Sequence, residues 1–113
     1  MDQSGYRSSL ALLRADVTEI RRGIAGAKLL ETRTACDGLG SDAASAIGEL
    51  PAPDHALTRT LNSAYSNLLN GAQACSAATG FATAGFNRWQ RDAAAGLRDL
   101  DAAQRRIARL LGR

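Results

Sequence analysis

Apolar side chains recur at alternating spacings of three and four along three stretches of this chain, which places them on one side of an α-helix. In the first stretch these positions are Leu10, Leu13, Val17, Ile20, Ile24 and Ala27. We therefore predict a long amphipathic helix over residues 6–35 that continues through Gly23 and Gly26. Each of these glycines costs about 1 kcal/mol relative to alanine, so a break near Gly26 is the alternative.

Glycine and proline divide the middle of the chain. Residues 36–40 read Cys-Asp-Gly-Leu-Gly, and two glycines this close together predict the end of the first helix. Ser41 or Asp42 can then cap a short helix over residues 41–49. The prolines at positions 51 and 53 end it, because proline donates no backbone hydrogen bond and restricts the residue before it.

Two further apolar stripes follow this turn. Asp54 is a favourable N-cap for a helix over residues 55–78, and a last helix is predicted over residues 86–111. No stretch alternates with the period of two that is typical of a strand. We predict one all-α domain, residues 1–113, in which three long helices and one short helix form an antiparallel bundle, since short connections favour antiparallel neighbours.

Composition refines this picture. The chain has 113 residues, enough for a single modest core, and its apolar content is mostly alanine and leucine with 4% aromatics, so the helices must approach closely. The Ala-, Arg- and Gly-rich composition resembles that of proteins from high-GC bacteria such as actinomycetes. No apolar run is long enough to span a membrane, and we expect any export signal or anchor to have been removed.

The chain has two cysteines, Cys36 and Cys75, on either side of the proline turn. If residues 37–40 are extended, the two arms reach similar distances from the turn, and we predict a disulfide that staples the bundle. Closing a loop of about 40 residues would contribute about 4 kcal/mol. The alternative is a pair of buried thiols in a cytosolic protein. A disulfide would indicate an oxidising compartment outside the cytoplasmic membrane.

Two groups of residues are candidate binding surfaces. No charged residue occurs between Arg59 and Arg88, and this uncharged stretch carries a polar ridge that we predict to bind a partner: Asn62, Ser66, Asn70 and Gln73. An uncharged surface is desolvated at low cost, although a simple solvated face is the alternative. The second group is aromatic and either plugs one end of the bundle or lines an apolar pocket: Tyr65, Phe81, Phe86 and Trp89.

The last helix is rich in arginine, which raises the alternative of phosphate binding. Aspartates are interleaved with these arginines, so intrahelical pairs such as Asp101 with Arg105 are the simpler explanation, and we expect no nucleic-acid binding. The terminal arginines could still approach an anionic membrane surface. The single histidine, His55, has no second ligand nearby in sequence, and neither a metal site, a cofactor nor catalysis is expected.

These observations favour a non-enzymatic, extracytoplasmic helical domain of a bacterial envelope protein, either secreted or anchored to the membrane. Its expected role is to bind or sense another protein, or to form a homodimer. Two alternatives belong to other classes: a cytoplasmic helical regulator that binds nucleic acid through the arginine-rich last helix, and a carrier of a small apolar ligand or lipid.

Overall fold

The computed structural model describes residues 4–112, with side chains from residue 7 onward, as four α-helices and no strand. The helices are α1 (Ser4–Ala25), α2 (Leu29–Gly48), α3 (His55–Ser76) and α4 (Ala84–Leu111). The predicted all-α class is thus confirmed. The described helices form an elongated body of 47 × 20 × 19 Å, and none of them is long and apolar enough to cross a membrane.

The first predicted helix is interrupted, so its continuation to residue 35 is wrong and the break near Gly26 is what the structure contains. The backbone N–H of Lys28 donates to the carbonyl of Gly23 at 2.9 Å, and that of Ala27 donates to Ile24 at 3.0 Å. This pair of bonds is the Schellman pattern that ends a helix. Its left-handed position is occupied by Ala27, with φ of 54°.

The predicted helix stop at residues 36–40 is also wrong, because this segment lies inside α2. Cys36 and Leu39 are fully buried there, and their burial outweighs the cost of about 1 kcal/mol for each glycine in a helix. The predicted short helix is therefore the second half of a helix of 20 residues. Lys28, rather than Ser41 or Asp42, occupies the N-cap position of α2.

The predictions for α3 and α4 agree with the structure to within two residues at each end. As predicted, Asp54 caps α3, since its carboxylate accepts the backbone N–H of Ala56 at 3.3 Å. Residues 77–83 connect α3 to α4, and Thr83 is the N-cap residue of α4.

Contacts between consecutive helices indicate how they are oriented. Ser9 near the start of α1 bonds Glu49 just after α2, and Arg33 near the start of α2 bonds the last residue of α3. Asp54 before α3 pairs with Arg106 near the end of α4. Contacts of this kind are expected when each helix runs opposite to the one before it.

The helices approach closely where glycine faces a larger residue. A methyl group on Gly96 of α4 would lie 2.7 Å from Cγ of Leu68 and 3.3 Å from the carbonyl oxygen of Ala64, both on α3. On Gly71 of α3, a methyl group would lie 3.1 Å from the Trp89 ring of α4. This agrees with the expectation from composition that small residues bring the helices together.

Candidate interaction surface between α2 and α3

The predicted disulfide is present between Cys36 of α2 and Cys75 of α3, whose Cα atoms lie 6.1 Å apart. Both residues are fully buried. The extended segment 37–40 that we expected is not what brings them together. Helical rise places Cys36 about 18 Å from the end of α2 and Cys75 about 30 Å from the start of α3. The connecting residues 49–54 are long enough to span this difference.

An open groove of about 590 Å³ runs between α2 and α3 beside the disulfide. Its walls are mainly small or apolar side chains, with one amide from α3: Gly40, Ser41 and Ala44 from α2, and Leu69, Ala72 and Gln73 from α3. At one end, the Ser76 hydroxyl donates to the carboxylate of Asp37. Arg33 also donates from Nε to the carbonyl of Ser76 at 2.9 Å, which satisfies an acceptor at the end of α3.

The groove is nearly free of charge. Asp37 is the single charged residue among those that line it, and α3 carries no Asp, Glu, Lys or Arg after Arg59. A partner that covers the groove would therefore remove few charged groups from water. The free-energy cost of that desolvation, which ordinarily opposes burial of a polar surface, would be small here.

The four residues of the predicted polar ridge lie at spacings of four, four and three, so they share one face of α3 with Leu69. Asn62, Asn70 and Gln73 are exposed and Ser66 is partly buried. Of the four, Gln73 lines the groove, and the other three extend the same surface toward the start of α3.

Sequence reasoning missed the contribution of α2 to this surface. Gly40 and Ala44 were assigned to a helix stop and to a short helix, which separated them from α3. A signal was present, because Cys36, Gly40, Ala44 and Gly48 recur every four residues and form a stripe of small side chains on one face of a helix. The two glycines at 38 and 40, taken alone, predict a break at the same place and so hide this stripe.

The structure brings some of the predicted aromatic residues together. The rings of Phe81 and Phe86 have centroids 5.0 Å apart. Trp89, 2% exposed, lines a separate cleft of about 350 Å³ between α1 and α4 with Ile24 and Ala93. Tyr65 is buried in the middle of α3, about 16 Å of helical rise from the end of that helix.

The arginines of α4 are partly engaged by carboxylates. Arg106 makes a two-point contact with Asp54, at 2.6 Å from Nε and 3.2 Å from Nη2, and Arg88 lies 3.5 Å from Asp92. The Arg106 guanidinium holds the pKa of Asp54 below its ordinary value. Asp101 accepts a bond of 2.7 Å from Arg14 of α1, in place of the intrahelical partner expected for it.

Within residues 4–112, no group of three or more histidine, cysteine, aspartate or glutamate side chains is arranged to hold a metal ion. His55 is exposed in the first turn of α3. No protein-family model, curated protein or solved structure matches this chain.

Proposed function

We propose that this protein is a non-enzymatic, extracytoplasmic helical domain of a bacterial envelope protein. In this proposal its four helices form an antiparallel bundle stapled by the disulfide, and the α2–α3 surface binds another protein, with a second copy of the chain as the first partner to test. The observation that carries the proposal is the groove between α2 and α3, which is open, small-residue-lined and almost uncharged.

The disulfide supports the proposed location. Disulfides form and persist in oxidising compartments and are rare in the reducing cytosol. Because Cys36 and Cys75 are both fully buried, neither is an exposed, reactive thiol of the kind used in redox catalysis or sensing. A structural role in a compartment that maintains the bond is the simpler interpretation.

The shape of the groove supports a protein partner. Glycine, alanine and serine on α2 leave little side-chain bulk above the backbone, so a helix of a partner could approach closely, as small residues allow at helix–helix contacts. The adjoining amides of Asn62, Asn70 and Gln73 can supply hydrogen bonds at the edge of such a contact.

Sedimentation velocity over a range of protein concentrations tests the surface directly. We expect the wild type to self-associate, and we expect Asn62→Asp, Ser66→Asp and Asn70→Asp together to weaken association, because a partner would bury their charges. Asn87→Asp, an exposed amide on α4 away from the groove, is the matched control and should associate like the wild type. Equal association of all three proteins would remove this surface from the proposal.

The location has a separate test. Unreduced protein taken directly from its native cells and unfolded in denaturant before alkylation, then analysed by mass spectrometry, should show Cys36 and Cys75 unmodified. If both thiols are alkylated, the extracytoplasmic location is wrong even if the association experiment succeeds.

The nucleic-acid alternative has less support, because two arginines of α4, Arg88 and Arg106, already face carboxylates. DNA retention that falls steeply with added salt would reinstate it.

A further inference from the structure

Two carboxyl groups face each other across the interface of α1 and α2. Asp16 of α1 and Asp42 of α2 are both partly buried. The bond between Ser9 and Glu49 sets the register of the two helices, and seven residues along each helix from that bond it brings Asp16 beside Asp42, its side-chain hydrogen-bond partner. The Oδ2 atom of Asp16 is shielded from solvent and has no other hydrogen-bond partner. Two ionised carboxylates this close repel one another, whereas one shared proton turns the contact into a hydrogen bond.

The charged groups around this pair are engaged elsewhere. On α1, Glu19 pairs with Arg22 at 2.8 Å, and Arg14 donates to Asp101 on α4. On α2, Asp37 accepts from Ser76.

No arginine or lysine lies one helical turn from either aspartate, since the positions concerned are 12, 13, 19 and 20 on α1 and 38, 39, 45 and 46 on α2. Burial, followed by the hydrogen bond and charge of Asp42, therefore raises the pKa of Asp16 to about 7.

The pair lies between α1 and α2, so its change of charge acts on the contact between these two helices. The chain's two cysteines join α2 to α3, so no disulfide can tie α1 to the rest of the molecule. Along α1, the side chains of Leu13, Val17 and Ile20 are buried on either side of Asp16. Any force that separates α1 from α2 at Asp16 therefore acts directly on this buried face.

We propose that Asp16 and Asp42 form a proton-controlled latch that holds α1 against α2 when they share a proton and loosens α1 when both are ionised. Loosening exposes the apolar face of α1 at and above neutral pH and covers it in mildly acidic surroundings. This property is independent of what binds to α2 and α3.

The sign of the pH dependence follows from linkage. An ordinary aspartate in the unfolded chain has a pKa of about 3.9, so the folded state binds the proton of the pair more tightly. The contribution of this pair to stability is then full below about pH 4, decreases as the pH rises from there through about 7, and is lost above that value. The opposite trend is expected of the Asp54–Arg106 pair, whose contribution changes only at acidic pH, below this window.

A carboxyl-carbon NMR titration of the wild type tests the latch without any substitution. We expect one carboxyl of the pair to titrate near pH 7 and to shift its partner at the same midpoint. If both carboxyls titrate near pH 4, as ordinary aspartates do, the latch does not exist.

Amide hydrogen exchange tests whether the effect is local to α1. After correction for the intrinsic rate, we expect exchange of residues 10–20 to increase several-fold between about pH 5.5 and about pH 8, and that of residues 61–72 to stay unchanged. Asp16→Asn, which keeps one hydrogen bond to Asp42, should abolish the increase, and Glu19→Gln, on the exposed side of the same helix, should retain it. An equal increase in all helices, or an unchanged increase in Asp16→Asn, would overturn the proposal.

Discussion

The contacts that join α1 to α2 include an acidic pair and no covalent bond, whereas a disulfide joins α2 to α3. The disulfide crosses from α2 to α3, and glycines at close approach hold α3 against α4. Neither a covalent bond nor a steric fit depends on pH. α1 is held by its apolar stripe, by a close approach of Gly23 to Thr32 of α2, by Ser9 on Glu49, by Arg14 on Asp101 and by the Asp16–Asp42 pair. The attachment of α1 therefore includes a group that changes charge near neutral pH, and the disulfide between α2 and α3 does not.

The largest expected effect comes from removing the disulfide. Replacing both cysteines, Cys36→Ala with Cys75→Ala, opens a link of sequence separation 39 and should lower the free energy of unfolding by about 4 kcal/mol, because the unfolded chain regains the entropy of the open loop. Urea unfolding measures this loss.

Wild-type protein unfolded in the presence of a reductant is the control and should unfold at nearly the same urea concentration. A loss of less than about 1 kcal/mol would mean that α2 and α3 do not depend on the covalent link, and the contrast with α1 would weaken.

The steric part of the comparison is tested at Gly96. Gly96→Ala places a methyl group 2.7 Å from Leu68 Cγ, and the resulting overpacking should lower the free energy of unfolding by about 1–3 kcal/mol. Gly38→Ala is the matched control, because Gly38 lies inside α2 with nothing within 4 Å of the added methyl group. That variant should gain about 0.5–1 kcal/mol from helix propensity. If both variants gained stability, close packing of α3 on α4 would not be a constraint.

A smaller effect is expected at the end of α1. Ala27→Gly relieves the left-handed conformation at φ of 54° and should raise the free energy of unfolding by about 1 kcal/mol, as measured by urea unfolding. Gly26→Ala should change it by less than about 0.5 kcal/mol, because its added methyl group meets nothing closer than 3.5 Å. Loss of stability in Ala27→Gly would contradict the Schellman geometry of this turn.

The smallest effect is expected at Asp54. Because Arg106 lowers the pKa of this carboxyl, its pairing stabilises the fold above the ordinary aspartate pKa of about 3.9 and is lost as the pH falls through the lowered value. Asp54→Asn keeps an oxygen to cap α3 but removes the charge, so its thermal unfolding midpoint should fall less than that of the wild type on acidification below about pH 4. Identical acid profiles would show that the pair contributes nothing measurable.

The outcome along the chain shows which signals could be read without the structure. α3 and α4 were predicted closely, since Asp54 marks a start and long apolar stripes follow. The first half was misassigned because the glycines at 26, 38 and 40 are locally alike. Gly26 lies in a turn, whereas Gly38 and Gly40 lie within a helix whose Cys36 and Leu39 are buried in the core. Only tertiary packing distinguishes the glycine in the turn from the glycines inside the helix. Burial of the neighbouring side chains outweighs the cost of about 1 kcal/mol for each glycine in a helix.

Part of the candidate surface could likewise be predicted from the sequence, and part could not. Asn62, Ser66, Asn70 and Gln73 could be selected from the sequence because an uncharged stretch of α3 is a local property. The α2 wall of the groove and the meeting of Asp16 with Asp42 could not, because each joins positions on different helices.

The sequence by itself determined the helical class, the cap and stripe of α3, and the pair of cysteines available for one cross-link, since these follow from spacing and residue type. Tertiary structure alone decided where the first helix ends, which face of α2 meets α3, and which carboxyls share an interface. The physical reason is that backbone preferences are worth about 1 kcal/mol per residue, and burial against a neighbouring helix is large enough to override them.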